Sequence, residues 1–310
     1  MPIHPLVTPQ NPGINAMLQL FLGPVKLSIT TEEKIQLLPL GSKYYSTPIF
    51  PTEKHYKLHI RTIPPNSLPP VASNNQLTGK TEDQLLMPYS WQITNTAELL
   101  YYDIDYLKDK QLLHSRTCIN LLRNTVDLLL IPSSPEKRIT LDPLEHPFGS
   151  LLLVFLAQQT NGILIHASAI QAPQQGGMLF TAISGTGKST MADLWKKNGA
   201  QIINDDRLWL HKHNKNWVIL NTPMPLYSQA PAMAPLKKIF LIRQSKTNNV
   251  TRLTDLNSNL KVLSNCIQHP YNKSIAAQNL NTVLDITNST PIYDCGFKPD
   301  HEIVDLIMNH

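Results

Sequence analysis

The stretch 178–206, MLFTAISGTGKSTMADLWKKNGAQIINDD, constrains this chain more than any other. The apolar run Met178–Ile183 predicts a short buried strand. Ser184-Gly185-Thr186-Gly187 is a tight turn, Lys188-Ser189-Thr190 open a helix, and Asn198-Gly199 stop it near Lys197. Strand, glycine-bearing turn and helix in that order spell a phosphate-binding loop of the Walker A pattern G-x-x-x-x-G-K-[ST], with Ala182 in place of the first glycine. Glycine lets successive N–H groups curl toward an anion. The new helix adds unpaired N–H groups and the positive end of its dipole. Such a loop predicts ATP with Mg²⁺. Ser184, Gly185, Thr186, Gly187 and Thr190 are candidate nucleotide contacts, Lys188 reaches the β/γ-phosphates, and Ser189 completes a Mg²⁺ shell.

The same stretch carries a second constellation. A helix of about ten residues at 1.5 Å per residue covers roughly 15 Å. A strand of about five residues, Gln201–Asn204 and its neighbour, returns nearly the same distance. Asp205-Asp206 are therefore expected at the level of Lys188, where paired carboxylates suit Mg²⁺ binding and proton abstraction from a hydroxyl. Upstream, Ile163–Ile170 predicts a strand and 171–177 a turn. A hairpin centred near Gln174 puts His166 opposite Ala182, at the mouth of the loop. The expected roles are Asp205 as base, nearer His166 of the two, and Asp206 with Ser189 as metal ligands. Arg243, after the strand Lys238–Ile242, is a candidate phosphate contact.

The rest of the second half predicts a turn at Asn221-Thr222-Pro223, a helix over Asp255–Ile267 capped by Thr254, a strand Pro291–Phe297 and a helix His301–Met308. Phe148–Gln159 predicts a buried helix ended by Asn161-Gly162, preceded by a polar linker at Ser133–Lys137. The first half shows strands at Val25–Ile29, Lys57–Ile63 and Thr125–Ile131, a Pro/Asn/Ser loop at 64–80, and Trp91, Tyr101 and Tyr102 as core or strand-face aromatics. The expected division is a small β-rich domain over 1–140, a candidate for acceptor recognition, and an α/β P-loop domain over 141–310.

Charge and cysteine usage narrow the partners. A net charge of +5 without a dense Lys/Arg run argues against a nucleic-acid partner. Cys118, Cys266 and Cys295 are scattered and odd in number, which fits a reducing cytoplasm and no disulfide framework. The start MPIHPLVTPQNPG lacks the signal-peptide pattern, and the longest apolar run, Leu151–Ala157, is too short for a bilayer, so no membrane partner is expected. Oligomeric state is not encoded in any of these features.

Residues 142–300 resemble the HPr kinase family, in particular the HPr-kinase-like proteins of bacterial peptide-modification clusters. The likeness rests on GILIHASAI, AISGTGKST, NDDRLWL, NTP at 221–223, KKIFLIRQ and PIYDCGFKPD, in that order. It implies a phosphoenolpyruvate-carboxykinase-like nucleotide fold and site residues at His166, Lys188, Ser189, Asp205 and Asp206. The chain departs from true HPr kinases at Ala182, at Thr190 where they carry an acidic residue, and in lacking a Glu-Val-Arg-Gly-Leu-Gly stretch. Those departures stand against HPr itself as substrate and against the reverse phosphorylase activity.

The function these features predict is an ATP- and Mg²⁺-dependent kinase acting on a Ser/Thr hydroxyl of a small protein or peptide. One rival is a small-molecule kinase for an amino acid or sugar, which needs a closed pocket. Another is a nucleotide-binding module without turnover, in which Ala182 has cost the loop its geometry.

Overall fold

The computed structural model describes residues 17–38, 41–68, 70–71, 76–80, 88–223 and 230–310. The N-terminal stretch read above for a signal peptide lies outside the described residues. In the first half, short strands bury every second side chain. They are β1 (Leu18–Leu22), β2 (Val25–Thr31), β3 (Ile35–Leu37), β4 (Lys54–Thr62), β5 (Gln76–Lys80), β6 (Tyr89–Asn95), β7 (Leu99–Tyr106), β8 (Leu112–Asn120), β9 (Thr125–Pro132) and β10 (Ile139–Leu141). β4 shows the pattern: Tyr56, Leu58 and Ile60 are buried, while His55, Lys57 and Arg61, which alternate with them, are exposed. Eight of these strands form one sheet in the order β1-β2-β4-β9-β8-β7-β6-β5, and β3 pairs with β10 apart from it. The expected loop at 64–80 ends in a strand instead, because Gln76–Lys80 hydrogen-bonds along β6. The expected linker is tied down at its start, where Ser133 N–H donates to the Gln111 carbonyl and its hydroxyl to that of Lys110.

The second half runs α1 (Phe148–Gln159), β11 (Ile163–Ala172), β12 (Gly176–Thr181), α2 (Lys188–Lys197), β13 (Gln201–His213), β14 (Asn216–Asn221), β15 (Met233–Gln244), β16 (Asn249–Leu253), α3 (Leu256–Ser264), β17 (Cys266–Ile267), α4 (Lys273–Ser289), β18 (Ile292–Phe297) and α5 (Glu302–Met308). Its sheet follows β12-β11-β13-β14-β15-β18-β16. β12 also pairs with β15, so β12, β11, β13, β14 and β15 close into a ring. The chain is thus a mixed α/β protein built on two large sheets. Two expectations are corrected. β13 does not stop at Asn204 but runs through both aspartates to His213, because it stays paired with β11 and β14 throughout. The helix expected over Asp255–Ile267 is shorter: Asp255, not Thr254, caps it through Ser258 N–H, and Cys266 and Ile267 leave it to pair with β11.

α1 is apolar on every face, and such a helix is stable only when covered all round. It is covered from both sides: one continuous core joins its Leu151–Ala157 face to Tyr56, Leu58 and Ile60 of the first sheet and to Leu164, Trp209 and Leu220 of the second. A second core joins the ring strands to α3 and α4. A third packs α2 and α5 on β12, β15 and β18. Among the described residues no helix is long and apolar enough to cross a membrane.

Candidate active site

Register, not loop length, brings the site together. On β11, Ala167 pairs with Thr181 of β12 on one side and with Asp206 of β13 on the other; Ser168 pairs likewise with Phe180 and Asp205. Both aspartates therefore stand level with the last residues of β12, one strand away from the point where the chain leaves for the loop. The pairing ends at Ala167 and Thr181, and the Thr181 hydroxyl donates to the His166 carbonyl at 2.9 Å, which keeps His166 beside the start of the loop.

The loop from Ala182 to Gly187 takes its shape from two glycines, Gly185 at φ 78° and Gly187 at φ 106°, a region where a side chain is strained. Gly187 leads into α2 under the Phe297 ring, where a Cβ would come within 2.9 Å of the ring. The Thr186 hydroxyl ties back to the Ile183 carbonyl at 2.9 Å. The buried Ser168 hydroxyl donates to the Lys188 carbonyl at 2.9 Å, fixing the first turn of α2 to β11. Ala182 has no positive φ, and its side chain sits in the core beneath α2. The rival reading in which Ala182 costs the loop its geometry thus finds no positive φ at this position.

Lys188 is buried, and its ammonium lies on the carbonyls of Ala182 and Ile183 at 3.0 and 3.1 Å. Burial pushes its pKa down, against the pull of Asp205 and Asp206. The two aspartates are driven apart. Asp205 is raised, first by burial and then by Asp193 and Asp206, against a downward pull from the Ser189 hydroxyl. Burial would raise Asp206 too, but the hydrogen bond from His166 and the charge of Arg207 outweigh it and hold the carboxyl below its ordinary value. His166 Nδ1 lies 3.0 Å from Asp206 Oδ1, and Arg207 Nε 3.3 Å from Asp206 Oδ2. This corrects the expected neighbour of His166 within the pair. The His166 partner is Asp206, and the Ser189 partner is Asp205. The cause is β13 itself, which continues through both residues as an extended strand that sends neighbouring side chains different ways.

Arg243 lies within β15, one residue before its carboxyl end, and its guanidinium is held by Asp294 at 3.0 Å and by Asn249 at 2.8 Å. Thr190 is exposed on the first turn of α2. Three contributors went unread in the sequence. Arg207 follows the aspartates directly, and that adjacency was the available signal. Ser150 and Asn204 gave none. Asn204 is buried, and its side-chain amide donates to the Arg207 carbonyl at 2.7 Å, pinning the strand beside the pair.

The oxygen donors suit the implied metal. Among the described residues no three or more His, Cys, Asp or Glu side chains form a protein-only cage. Mg²⁺ does not need one, since it keeps waters and phosphates in its shell beside one or two carboxylates. The Ser189 hydroxyl and Asp205 carboxylate offer that set. For the nucleotide, the space beside Gly185 is open, with nothing within 4 Å of a Cβ placed there.

No family model matches the chain, and no curated protein matches it. Among solved structures it is similar to the HPr(Ser) kinase/phosphatase from Coxiella burnetii, at 14% identity and a TM-score of 0.29, over 47% of this chain and 91% of that one. A likeness at this level fixes neither a family nor an activity.

Proposed function

We propose that the chain is an ATP- and Mg²⁺-dependent kinase whose acceptor is a Ser/Thr hydroxyl of a small protein or peptide, acting in the cytoplasm. The observation that supports this is the register of β11, the strand of His166, which pairs on one side with the end of the strand leading into the loop and on the other with Asp205 and Asp206. Ser184 to Thr190 would hold the phosphates through backbone N–H groups, and Lys188 would exchange two loop carbonyls for a phosphate oxygen. Ser189 and Asp205 would hold the metal. Bound Mg·ATP supplies the phosphoryl group and neutralises its charge. Asp206, oriented by His166, takes the acceptor proton. The first-sheet half contributes acceptor recognition, as it brings no phosphate chemistry of its own.

The test is ADP release from Mg·ATP by the purified chain, with nucleotide affinity measured alongside. Turnover is expected, and Lys188→Ala should abolish it and weaken binding, because no other loop side chain supplies that charge. Turnover that survives Lys188→Ala would remove the loop from the chemistry. Tight binding with no ADP release in the native chain would favour a nucleotide-binding module instead.

A further inference from the structure

One side of Asp206 is accounted for by His166; the other leads away from the loop and into the seam between the two sheets. Arg207 Nε faces Asp206 Oδ2 at 3.3 Å, and its Nη1 donates to the Ser150 hydroxyl in the first turn of α1. Ser150 Oγ in turn lies 2.8 Å from His146 Nδ1. Arginine has donors only, so Ser150 accepts from Arg207 and donates its own hydrogen to His146 Nδ1, which leaves the buried His146 Nε2 without a hydrogen-bond partner. The His146 ring then meets the Tyr89 ring edge to face, with centroids 4.9 Å apart, and Tyr89 is a buried residue of β6 in the first sheet. The Arg207 carbonyl is fixed as well, accepting from Asn204 and from the Thr222 hydroxyl at 2.7 and 2.9 Å. Both ends of this arginine are therefore held, and its side chain is only partly exposed.

Resting on the kinase reading above, we propose that Arg207, Ser150 and His146 are positioning residues that set the Asp206 carboxylate for proton transfer, anchored on the first sheet through Tyr89. A carboxylate with one oxygen on His166 alone could turn about its side-chain bonds. The second oxygen, held by an arginine that is itself clamped at backbone and at guanidinium, removes that freedom. Preorganised groups around a reacting carboxylate act through orientation, and their loss shows in turnover more than in ground-state binding.

The experiment uses the full chain and its Arg207→Gln, Arg207→Lys and Ser150→Ala variants. ATP hydrolysis is measured with water in the acceptor's place, Mg·ATP affinity by calorimetry, and folding by thermal unfolding. Arg207→Gln is expected to lower kcat by about 10- to 100-fold, the scale found when groups orienting a catalytic ligand are lost, with affinity unchanged. Arg207→Lys should recover part of that loss by keeping the charge, and Ser150→Ala should lower kcat less than Arg207→Gln does. Native turnover in both Arg207→Gln and Ser150→Ala overturns the relay, and so does an affinity loss that parallels the fall in kcat. If Arg207→Gln fails to fold, Ser150→Ala and Arg207→Lys decide by the same criteria. Turnover that depends on Lys188 but ignores the relay variants sinks the relay alone. Absence of turnover in the native chain sinks the relay and the kinase reading together.

Discussion

At the scale of single residues, the adjacent aspartates are the sharpest case, because one strand gives them opposite environments. Asp206 is paired with His166 and Arg207, and Asp205 with Ser189. A base and a metal ligand fail in different ways. Asp206→Asn should lower kcat by about 10²–10⁴ while Mg·ATP affinity holds. Asp205→Asn should weaken Mg²⁺ binding and recover in part as Mg²⁺ is raised. Titrating Mg²⁺ in both variants separates the two, and identical Mg²⁺ dependence in both would defeat the assignment. Ala182 makes a different kind of test. Its backbone needs no glycine and its methyl is buried, so Ala182→Gly adds freedom to the unfolded chain and removes packing. Stability should drop by about 0.5–1 kcal/mol in denaturant unfolding, with turnover retained. A large loss of turnover in that variant would mean that the loop works in a conformation unlike the one seen.

At the scale of elements, Asp142 joins two segments far apart in sequence. Its buried carboxylate accepts from the N–H groups of Gly41 and Ser42 at 3.0 and 3.2 Å and from Leu144 N–H at 2.9 Å. Asp142→Ala strands three buried donors at the approach to α1. The expected cost is about 2 kcal/mol or more in chemical unfolding, since bonds to charged groups count for more than neutral ones. An unchanged midpoint would show that water replaces the carboxylate. The legibility of elements tracks how they write their burial. α1 and α2 fall at their predicted bounds, Phe148–Gln159 and Lys188–Lys197, because apolar runs, Gly187 and Asn198-Gly199 mark them plainly. β8 escaped notice because Ser115 and Thr117, both fully buried, hold core positions that an apolar pattern leaves blank. α4 escaped for the same reason: Asn279 and Thr282 share its buried face with Ile275, Val283 and Ile286. The hairpin register that sets His166 near the loop was legible from a single turn. The order of Asp205 and Asp206 was not, because it depends on where β13 ends, and cross-strand pairing decides that.

At the scale of the whole molecule, the shared core around α1 governs what can stand alone. A fragment of residues 141–310 would uncover the α1 face that packs on Tyr56, Leu58 and Ile60, where the Phe155 and Tyr56 rings meet at 5.6 Å. That fragment should lose cooperative thermal unfolding and expose apolar surface to a hydrophobic dye; a sharp transition at the native midpoint would contradict this. The same seam carries an acid dependence. His146 against Tyr89 and His269 against Trp91 both sit where the first sheet meets the second half. Burial pushes His269 down to about 4, and burial together with the Arg207 charge does the same to His146. In the unfolded chain both return to the ordinary histidine value, near 6.5. Above that pH both are neutral folded or unfolded, and their contribution to stability is complete. As pH falls from about 6.5 toward 4, the unfolded chain binds protons that the folded chain refuses, so stability declines through that window. Asp205 works the other way, its raised pKa favouring the folded state as acid is added, while Asp206, held low, contributes its own loss only in stronger acid. His114, which burial would lower but Asp103 and Asp105 raise, adds stability that is complete below the ordinary value and is lost as pH rises through its folded one. Its effect therefore lies above the window. The unfolding midpoint should thus fall between pH 7 and pH 4.5, and His146→Gln and His269→Gln should each flatten that fall. If both variants keep the native slope, the acid sensitivity does not reside in the seam.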